Sequence, residues 1–165
     1  MIDLLQKLLA IVLLRQGPQD LPPGQATMLT CLALYVLTTA ASLTGAQQPE
    51  QPVLVLGLAL AIPLLLSRLV LTLANKIARW PQTVSALFGS SAVLSALSLP
   101  LGWMAGEQPT PLVGLLLVTL FFWSLAVNGH VWRHALEVAF SGGLAIAVLM
   151  FAINLFIINA LAGSI

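Results

Sequence analysis

Long apolar stretches alternate with short polar segments along most of this chain. A helix needs about 20 mostly apolar residues to cross the hydrocarbon layer of a bilayer, and the sequence contains five such windows. They are residues 25–45, 53–74, 83–104, 112–128 and 138–161. Unbroken apolar windows of this length indicate helices, because the strands of a membrane barrel are shorter and alternate between apolar and polar residues. The pattern predicts an all-α, polytopic membrane helix bundle, formed as a single domain by residues 25–165.

Polar segments separate the five windows. Residues 47–52, 76–81, 107–111 and 129–137 carry the prolines, glycines and charges that favour loops. All of these segments are short, so a soluble catalytic domain has no place between the predicted spans. Any chemistry is therefore expected inside the bundle or at its surface.

The first residues follow a different pattern. Residues 1–16 are too short to span a bilayer, but a helical wheel places Asp3 and Lys7 on one side and Leu8 with other apolar residues on the other. We expect an amphipathic helix that lies along the cytoplasmic interface. Residues 17–24 are rich in proline and glycine, which predicts a stiff turn that leads into the first span.

The composition supports lipid as the solvent. Of 165 residues, 59% are hydrophobic and 7% are charged, whereas soluble domains carry about 25% charged residues. The net charge is only +1, and no basic run is interleaved with aromatic residues, so nucleic-acid binding is not expected. The single cysteine, Cys31, has no partner for a disulfide within the chain and is expected to be a small packing residue.

The basic residues predict the orientation in the membrane. If the five windows cross in alternating directions, all Lys and Arg residues fall on one side. They are Lys7, Arg15, Arg68, Lys76, Arg79 and Arg133. Because cationic loops resist translocation, the N-terminus is predicted to be cytoplasmic and the C-terminus periplasmic, in a bacterial inner membrane. Trp80 and Trp132 would then lie at the cytoplasmic interface and Trp103 at the outer one.

His130, His134 and Glu137 are the main candidates for chemistry, because their i, i+4, i+7 spacing places them on one helix face if this stretch is helical. Two imidazoles and a carboxylate suit zinc. However, no further ligand is evident and Arg133 would repel a cation, so we expect no metal and no cofactor. The remaining interpretations are a hydrogen-bonded interfacial cluster, or a contact with a partner or a lipid headgroup in which Arg133 binds a phosphate.

Arg68 lies inside the second span, about 10 Å from its cytoplasmic end at 1.5 Å per residue. A charge at this depth is costly unless it reaches the interface or is paired. We expect the side chain to snorkel to the interface; the alternative is an intramembrane ion pair with Glu137 that ties the second span to the fifth. Pro63, central in the same span, predicts a kink.

Amides and small residues inside the spans predict helix packing. The intramembrane amides of Asn128, Asn154 and Asn159 are expected to form hydrogen bonds across helices. Small residues recur at helical spacing in the third and fifth spans and form two seams that allow backbones to approach closely. The seams are Ser85, Gly89, Ala92 and Ala96, and Ala139, Gly143 and Ala147. They can pack within the chain or against another protein, and the sequence leaves both possibilities open.

Two stretches resemble a known family. Residues 121–137 (Phe-Phe-Trp-Ser-Leu-Ala-Val-Asn-Gly-His-Val-Trp-Arg-His-Ala-Leu-Glu) and residues 13–22 (Leu-Leu-Arg-Gln-Gly-Pro-Gln-Asp-Leu-Pro) resemble bacterial members of the Yip-like family of small membrane proteins. The resemblance implies five spans with a cytoplasmic N-terminus. Eukaryotic relatives look like trafficking adaptors that engage small GTPases through a long cytoplasmic N-terminal region. This sequence does not contain such a region, so the GTPase role is not carried over.

The sequence predicts a function without catalysis. It contains no phosphate-binding Gly-x-x-x-x-Gly-Lys loop, no Gly-x-Ser-x-Gly elbow and no paired intramembrane carboxylates. We expect an inner-membrane accessory or scaffold subunit that binds another integral membrane protein, or a second copy of itself, through its helix seams or the surface of residues 130–137. The alternative is a small transporter, channel or lipid-handling protein. Its cytoplasm-facing polar site would contain Arg68, His130, His134, Glu137 and the Pro63 kink.

Overall fold

The described part of the chain is built from helices. The computed structural model describes residues 2–44, 49–105 and 110–162. Its helices are α1 (Ile2–Val12), α2 (Gln25–Ser42), α3 (Pro52–Leu73), α4 (Trp80–Ala105), α5 (Pro111–Leu136) and α6 (Phe140–Ala162), with single 3-10 turns at Pro18–Asp20 and Ile77–Arg79. No strand occurs in these residues, which confirms the predicted all-α bundle. The predicted end of the first span at residue 45 and parts of the loops at 47–52 and 107–111 lie outside the described residues.

Helices α2 to α6 are each long and apolar enough to cross a membrane. They contain 18 to 26 residues, or about 27 to 39 Å at 1.5 Å per residue, against a hydrocarbon layer of about 30 Å. Large apolar side chains such as Leu37, Leu65, Leu115 and Phe156 face outwards and are mostly exposed. Lipid solvates such a surface, so the chain has the architecture of a multi-pass membrane protein.

The fourth long apolar window continues further as a helix than its hydropathy suggests. Helix α5 ends at Leu136, whereas the sequence places the end of this span at residue 128 and a loop at 129–137. The loop prediction is wrong for residues 129–136. The apolar window shows only which residues can face lipid. The helix continues beyond it because its last two turns pack against α6 and are held by the side chains described below.

Helix α4 is the centre of the bundle. Half of its apolar window is buried, compared with 6% of that of α2, and α2 packs along it while α1 and α5 cover other sides. Ser85, Gly89 and Ala92 of the predicted seam are buried, but Ala96 is exposed. A Cβ at Gly89 would meet the Leu8 side chain at 2.5 Å. This seam therefore packs mainly within the chain.

Helices α5 and α6 form a tight hairpin around two glycines. A Cβ added at Gly143 would meet the carbonyl oxygen of Gly129 and the backbone nitrogen of Arg133, and a Cβ at Gly129 would meet Leu144 Cα at 2.9 Å. Ala147 is buried on the same side of α6, whereas Ala139 precedes the helix and is exposed. The second predicted seam is thus also filled inside the chain, at Gly143 and Ala147.

The N-terminal helix packs into the bundle. The sequence predicts its helicity correctly, together with the pair of Lys7 and Asp3, which are 3.4 Å apart. However, Leu8, Ile11 and Val12 are almost completely buried against α4 and α5. The expectation that the apolar side of α1 faces the interfacial region of the bilayer is wrong for these residues, because protein covers them.

Two side chains of α5 hold the end of α1 and the turn that follows it. The indole Nε1 of Trp123 donates a hydrogen bond to the Val12 carbonyl at 3.0 Å. This carbonyl lies in the last turn of α1, where no further backbone N–H is available from the helix. Trp123 is about 20 Å along α5 from its end at Leu136, so α1 reaches deep into the bundle. His130 Nε2 lies 3.0 Å from the carbonyl oxygen of Gln16, which belongs to the turn that follows α1.

Pro63 connects α3 to α2 through the carbonyl that it leaves free. A proline has no backbone N–H, so the carbonyl four residues earlier, that of Ala59, has no donor within the helix. The hydroxyl of Tyr35 donates to this oxygen at 3.3 Å. The ring of Tyr35 packs edge-on against Phe88 with centroids 4.8 Å apart. The predicted proline site thus uses its free carbonyl for packing between helices.

Candidate functional site

A charged clamp closes the end of the bundle at which the basic residues gather, here called the basic end. Lys76 Nζ donates to the carbonyl of Leu136 at 2.8 Å and to Glu137 Oε2 at 2.5 Å. Arg79 Nη1 donates to the carbonyl of Ala135 at 3.2 Å, and Arg79 Nη2 donates to Glu137 Oε1 at 2.5 Å. The last carbonyls of a helix have no backbone partner, and cations there also interact favourably with the negative end of the helix dipole. Lys76, Arg79 and Glu137, the clamp, therefore tie the α3–α4 connection to the end of α5.

The clamp occupies Glu137 in place of the ion pair with Arg68 that the sequence left as an alternative to snorkelling. Both carboxylate oxygens of Glu137 accept from Lys76 and Arg79. The guanidinium of Arg68 instead lies 5.7 Å from the centroid of the Trp80 ring, which is the range of a cation–π contact. The alternative ion pair is not formed: Glu137 leaves the helix in a left-handed conformation, with a φ of 58°, and its carboxylate bonds Lys76 and Arg79 of the α3–α4 connection.

The two histidines lie together, but Glu137 does not join them. Their ring centroids are 4.5 Å apart. His130 is buried, and its Nε2 carries the proton because the Gln16 carbonyl can only accept. No three His, Cys, Asp or Glu side chains come close enough to hold a metal ion in the described parts of the chain. Arg133 is exposed beside them. The predicted polar cluster therefore separates into the clamp and a histidine pair that holds the turn after α1.

The clamp makes stability depend on pH. Hydrogen bonds from Lys76 and Arg79 lower the pKa of Glu137 from 4.5 to about 2. A lowered pKa means that the ionised carboxylate stabilises the fold above about pH 4.5, and that this contribution is lost as the pH falls towards 2. We expect Glu137→Gln to lower the denaturation midpoint in detergent at pH 7, and the difference from the unsubstituted protein to shrink between pH 4.5 and 2.

Glu50→Gln is the control, because Glu50 is an exposed acidic residue at the opposite end of the bundle. It should leave the midpoint nearly unchanged at both pH values. Parallel pH curves for the unsubstituted protein and Glu137→Gln would show that the ionised Glu137 carboxylate does not stabilise the fold.

A cavity of 160 Å³ lies where the five long helices meet, and we call it the central cavity. Five of its lining residues carry neutral polar groups, and most of the others are large apolar or aromatic side chains. The polar ones are Tyr35, Ser91, Ser124, Asn128 and Asn154, and the walls include Phe88, Trp132, Met150 and Phe151. Pro63 lines the cavity as well. Phe151 is 40% exposed, so the cavity reaches the lipid-facing surface beside this ring.

The central cavity lies near the middle of the bundle. Counted from the basic ends of their helices at 1.5 Å per residue, Asn128, Ser91 and Asn154 lie at depths of about 12, 16 and 21 Å. These depths correspond to the interior of a hydrocarbon layer of about 30 Å. Polar groups at this depth are uncommon and usually have a structural or functional partner.

The hydrogen bonds of the lining are incomplete. Ser124 Oγ donates to the carbonyl of Phe121 at 2.7 Å, and Asn128 Nδ2 donates to the carbonyl of Ser124 at 3.0 Å. Two buried side-chain oxygens in the described residues have no partner, Gln16 Oε1 and Asn154 Oδ1, and only the second belongs to the cavity lining. The prediction that intramembrane amides bond across helices is wrong for Asn128, which bonds within its own helix.

The sequence points to only part of this lining. Asn128, Asn154 and Pro63 are predicted polar or kinked positions, whereas Tyr35, Ser91 and Ser124 are not. Trp132, predicted at the interface, is 1% exposed and forms a wall of the cavity. Asn159 is exposed on α6 outside the lining. Among these missed residues, Tyr35 was the one that the sequence could have indicated, because it is the single tyrosine of the chain and lies within an apolar span. Ser91 and Ser124 gave no such indication, since serines in membrane helices commonly bond their own backbone.

A second, polar crevice of 280 Å³ lies beside the clamp. Arg79 and Glu137 line it, but they are already bonded to each other, and Arg79 also donates to the backbone carbonyl of Ala135. Gln82 Nε2 donates to the Leu21 carbonyl at 3.3 Å, and Thr83 Oγ1 donates to the Arg79 carbonyl at 2.9 Å. Since these groups already serve to hold the chain together, the central cavity is the better candidate for a ligand site.

Comparison of the chain with family models, curated proteins and solved structures finds no match. The Yip-like resemblance therefore stays a prediction based on residues 13–22 and 121–137.

Proposed function

We propose that the protein is a non-enzymatic, lipid-handling or small-solute-handling membrane protein that binds a small molecule in the central cavity. The observation that supports this most is the concentration of five neutral polar side chains around one cavity in the bundle interior. Ligand sites in proteins are typically apolar cavities with a few convergent polar groups. The unpartnered Asn154 Oδ1 adds to this support. A buried polar atom without a hydrogen bond lowers stability, and a bound ligand can supply the missing bond.

A binding role fits the lining better than catalysis does. Hydroxyl and amide groups can orient a ligand, but a nucleophile or a general base must be activated by a neighbouring group. The cavity-lining residues include no His, Lys, Asp or Glu that could activate Tyr35 or a serine. The absence of enzymatic activity is part of the proposal.

The proposed setting is a bacterial inner membrane with the basic end in the cytoplasm. Lys76, Arg79 and Arg133 lie at this end, beside the start of α2 and α4. Retention of cationic segments in the cytoplasm then places the N-terminus inside and the C-terminus outside. With this orientation the central cavity is reached from the bilayer at mid-depth.

An accessory role, in which the protein binds another membrane protein or a second copy of itself, also stays a prediction. The seams proposed for such a contact are largely filled: Gly89 packs against Leu8, and Gly143 packs against α5. A partner would therefore have to use another surface. This is why the cavity, and not the seams, carries the proposed function.

Native mass spectrometry of the protein released from lipid nanodiscs tests the proposal. We expect a small molecule from a total lipid extract to remain bound to the unsubstituted protein. Ser91→Leu, which fills the cavity from α4, should abolish this adduct. Ser98→Leu is the matched control, because Ser98 lies on the same helix outside the lining. Failure to retain any small molecule, or equal retention by Ser91→Leu, would overturn the proposed function.

A further inference from the structure

The charge of the central cavity limits what it can hold. No Lys, Arg, His, Asp or Glu side chain lines it. An ionised headgroup placed there would lose its hydration without gaining a counter-charge, and this is strongly unfavourable at mid-bilayer depth. A phosphate, a carboxylate or a quaternary ammonium group is therefore poorly suited to the site. A neutral polar group is well suited.

The hydrogen-bonding groups left in the lining favour a ligand that both donates and accepts. The Ser124 hydroxyl and one of the two N–H groups of the Asn128 amide already donate to backbone carbonyls, and Ser124 Oγ and Asn128 Oδ1 remain as acceptors. The hydroxyl of Ser91 forms no hydrogen bond within the described residues and can donate. A ligand hydroxyl matches this set, because it can donate to an amide oxygen and accept from a serine.

The size and the walls of the cavity set the rest of the ligand. A cavity of about 150 Å³ lined by apolar side chains accommodates a benzene ring, and the central cavity measures 160 Å³. The rings of Phe88, Trp132 and Phe151 form apolar walls. Phe151 is also exposed to the surroundings of the bundle, which provides a direction in which an attached alkyl chain can leave towards lipid.

We infer, on the basis of the proposed function, that the ligand is a neutral amphiphile whose hydroxyl-bearing end, the size of a phenol ring or a glycerol unit, occupies the central cavity. Its hydroxyl donates to Asn128 Oδ1 and accepts from Ser91, while its alkyl chain passes Phe151 into the bilayer. The shared chemistry is a neutral hydroxyl. A phenolic and a glycerol headgroup are its two possible sources.

Matched probes in nanodiscs separate these features. We would titrate the protein with 4-nonylphenol, its methyl ether 4-nonylanisole, nonyl phosphate and a medium-chain monoacylglycerol, and follow tryptophan fluorescence, since Trp132 lines the site. We expect 4-nonylphenol or the monoacylglycerol to bind at least tenfold more tightly than the methyl ether and the phosphate. The stronger of the two hydroxyl probes identifies the headgroup type.

A substitution links the selectivity to the lining. Asn128→Leu keeps the number and branching of the side-chain heavy atoms and removes the acceptor, so the tenfold preference of the hydroxyl probe over its methyl ether should disappear. Asn159→Leu, an amide replacement on α6 outside the cavity lining, should preserve the preference. Loss of the preference in both variants would contradict the assigned role of Asn128.

The outcomes separate this inference from the proposed function. One outcome is that 4-nonylphenol and its methyl ether bind equally to the unsubstituted protein, while a lipid adduct is still lost in Ser91→Leu. This would overturn the hydroxyl assignment but leave a cavity that binds a ligand. Tighter binding of the phosphate would overturn the neutral assignment in the same way. No binding of any probe, together with no retained lipid in the native mass spectrum, would overturn both.

Discussion

Gly143→Leu is expected to separate α5 from α6 and to lower the free energy of unfolding by about 3 kcal/mol, the upper part of the usual range for overpacking. A Cβ at this position would overlap the Gly129 carbonyl and the Arg133 backbone nitrogen. Backbone atoms cannot move aside as a flexible side-chain end can, so the hairpin has to open. Opening it also withdraws Ala135 and Leu136, whose carbonyls the clamp holds.

Denaturant titration in detergent micelles, followed by circular dichroism, measures this effect. Gly114→Leu is the matched control on α5, because nothing lies within 4 Å of a Cβ placed there. Its midpoint should differ little from that of the unsubstituted protein, and helix propensity favours leucine over glycine. If Gly143→Leu unfolds at the same denaturant concentration as Gly114→Leu, the close contact of α5 and α6 is not present in the protein.

Leu8→Ala is expected to lower the free energy of unfolding by about 3 kcal/mol, as is typical when a buried leucine leaves a cavity in a packed core. Leu8 is 1% exposed and its side chain occupies the space above Gly89. The rigid helices on both sides limit how far the gap can close. Leu5→Ala removes a leucine that is 53% exposed on the same helix, and it should have a much smaller effect.

This pair of variants distinguishes a packed α1 from one that lies on the bilayer surface. An interfacial α1 would place Leu5 and Leu8 in similar lipid surroundings, and both substitutions would then weaken membrane association with little effect on the bundle. Comparable unfolding midpoints for Leu8→Ala and Leu5→Ala would therefore contradict the packing of α1 against α4.

Apolar length was enough to find the five long helices. The windows at 53–74 and 138–161 match α3 (Pro52–Leu73) and α6 (Phe140–Ala162) within two residues at each end, because in lipid a helix must satisfy its backbone internally over the whole apolar run. The end of α5 was placed too early for a different reason. Residues 129–136 are polar enough to resemble a loop, but their stability comes from contacts with Gly143 and with the clamp, which are distant in the sequence.

The candidate site was harder to predict, because it depends on how the helices are rotated. Spacing alone put Glu137 on one face with His130 and His134, but a left-handed residue at the helix end turned it towards Lys76 and Arg79. Spacing also could not show that Tyr35 of α2 meets Ala59 of α3. The central cavity joins residues from five helices, and no pattern within one helix contains that information.

Both the depth of the central cavity and the place of the clamp depend on the bundle crossing a membrane with its basic end in the cytoplasm. Maleimide labelling of single cysteines in a Cys31→Ala background tests this arrangement directly. We expect Glu50→Cys, exposed beside α3, to react with a membrane-impermeant maleimide in cells whose inner membrane is intact. Ala78→Cys, exposed between α3 and α4, should react only after that membrane is permeabilised. Labelling of Ala78→Cys from outside, with protection of Glu50→Cys, would contradict the proposed orientation.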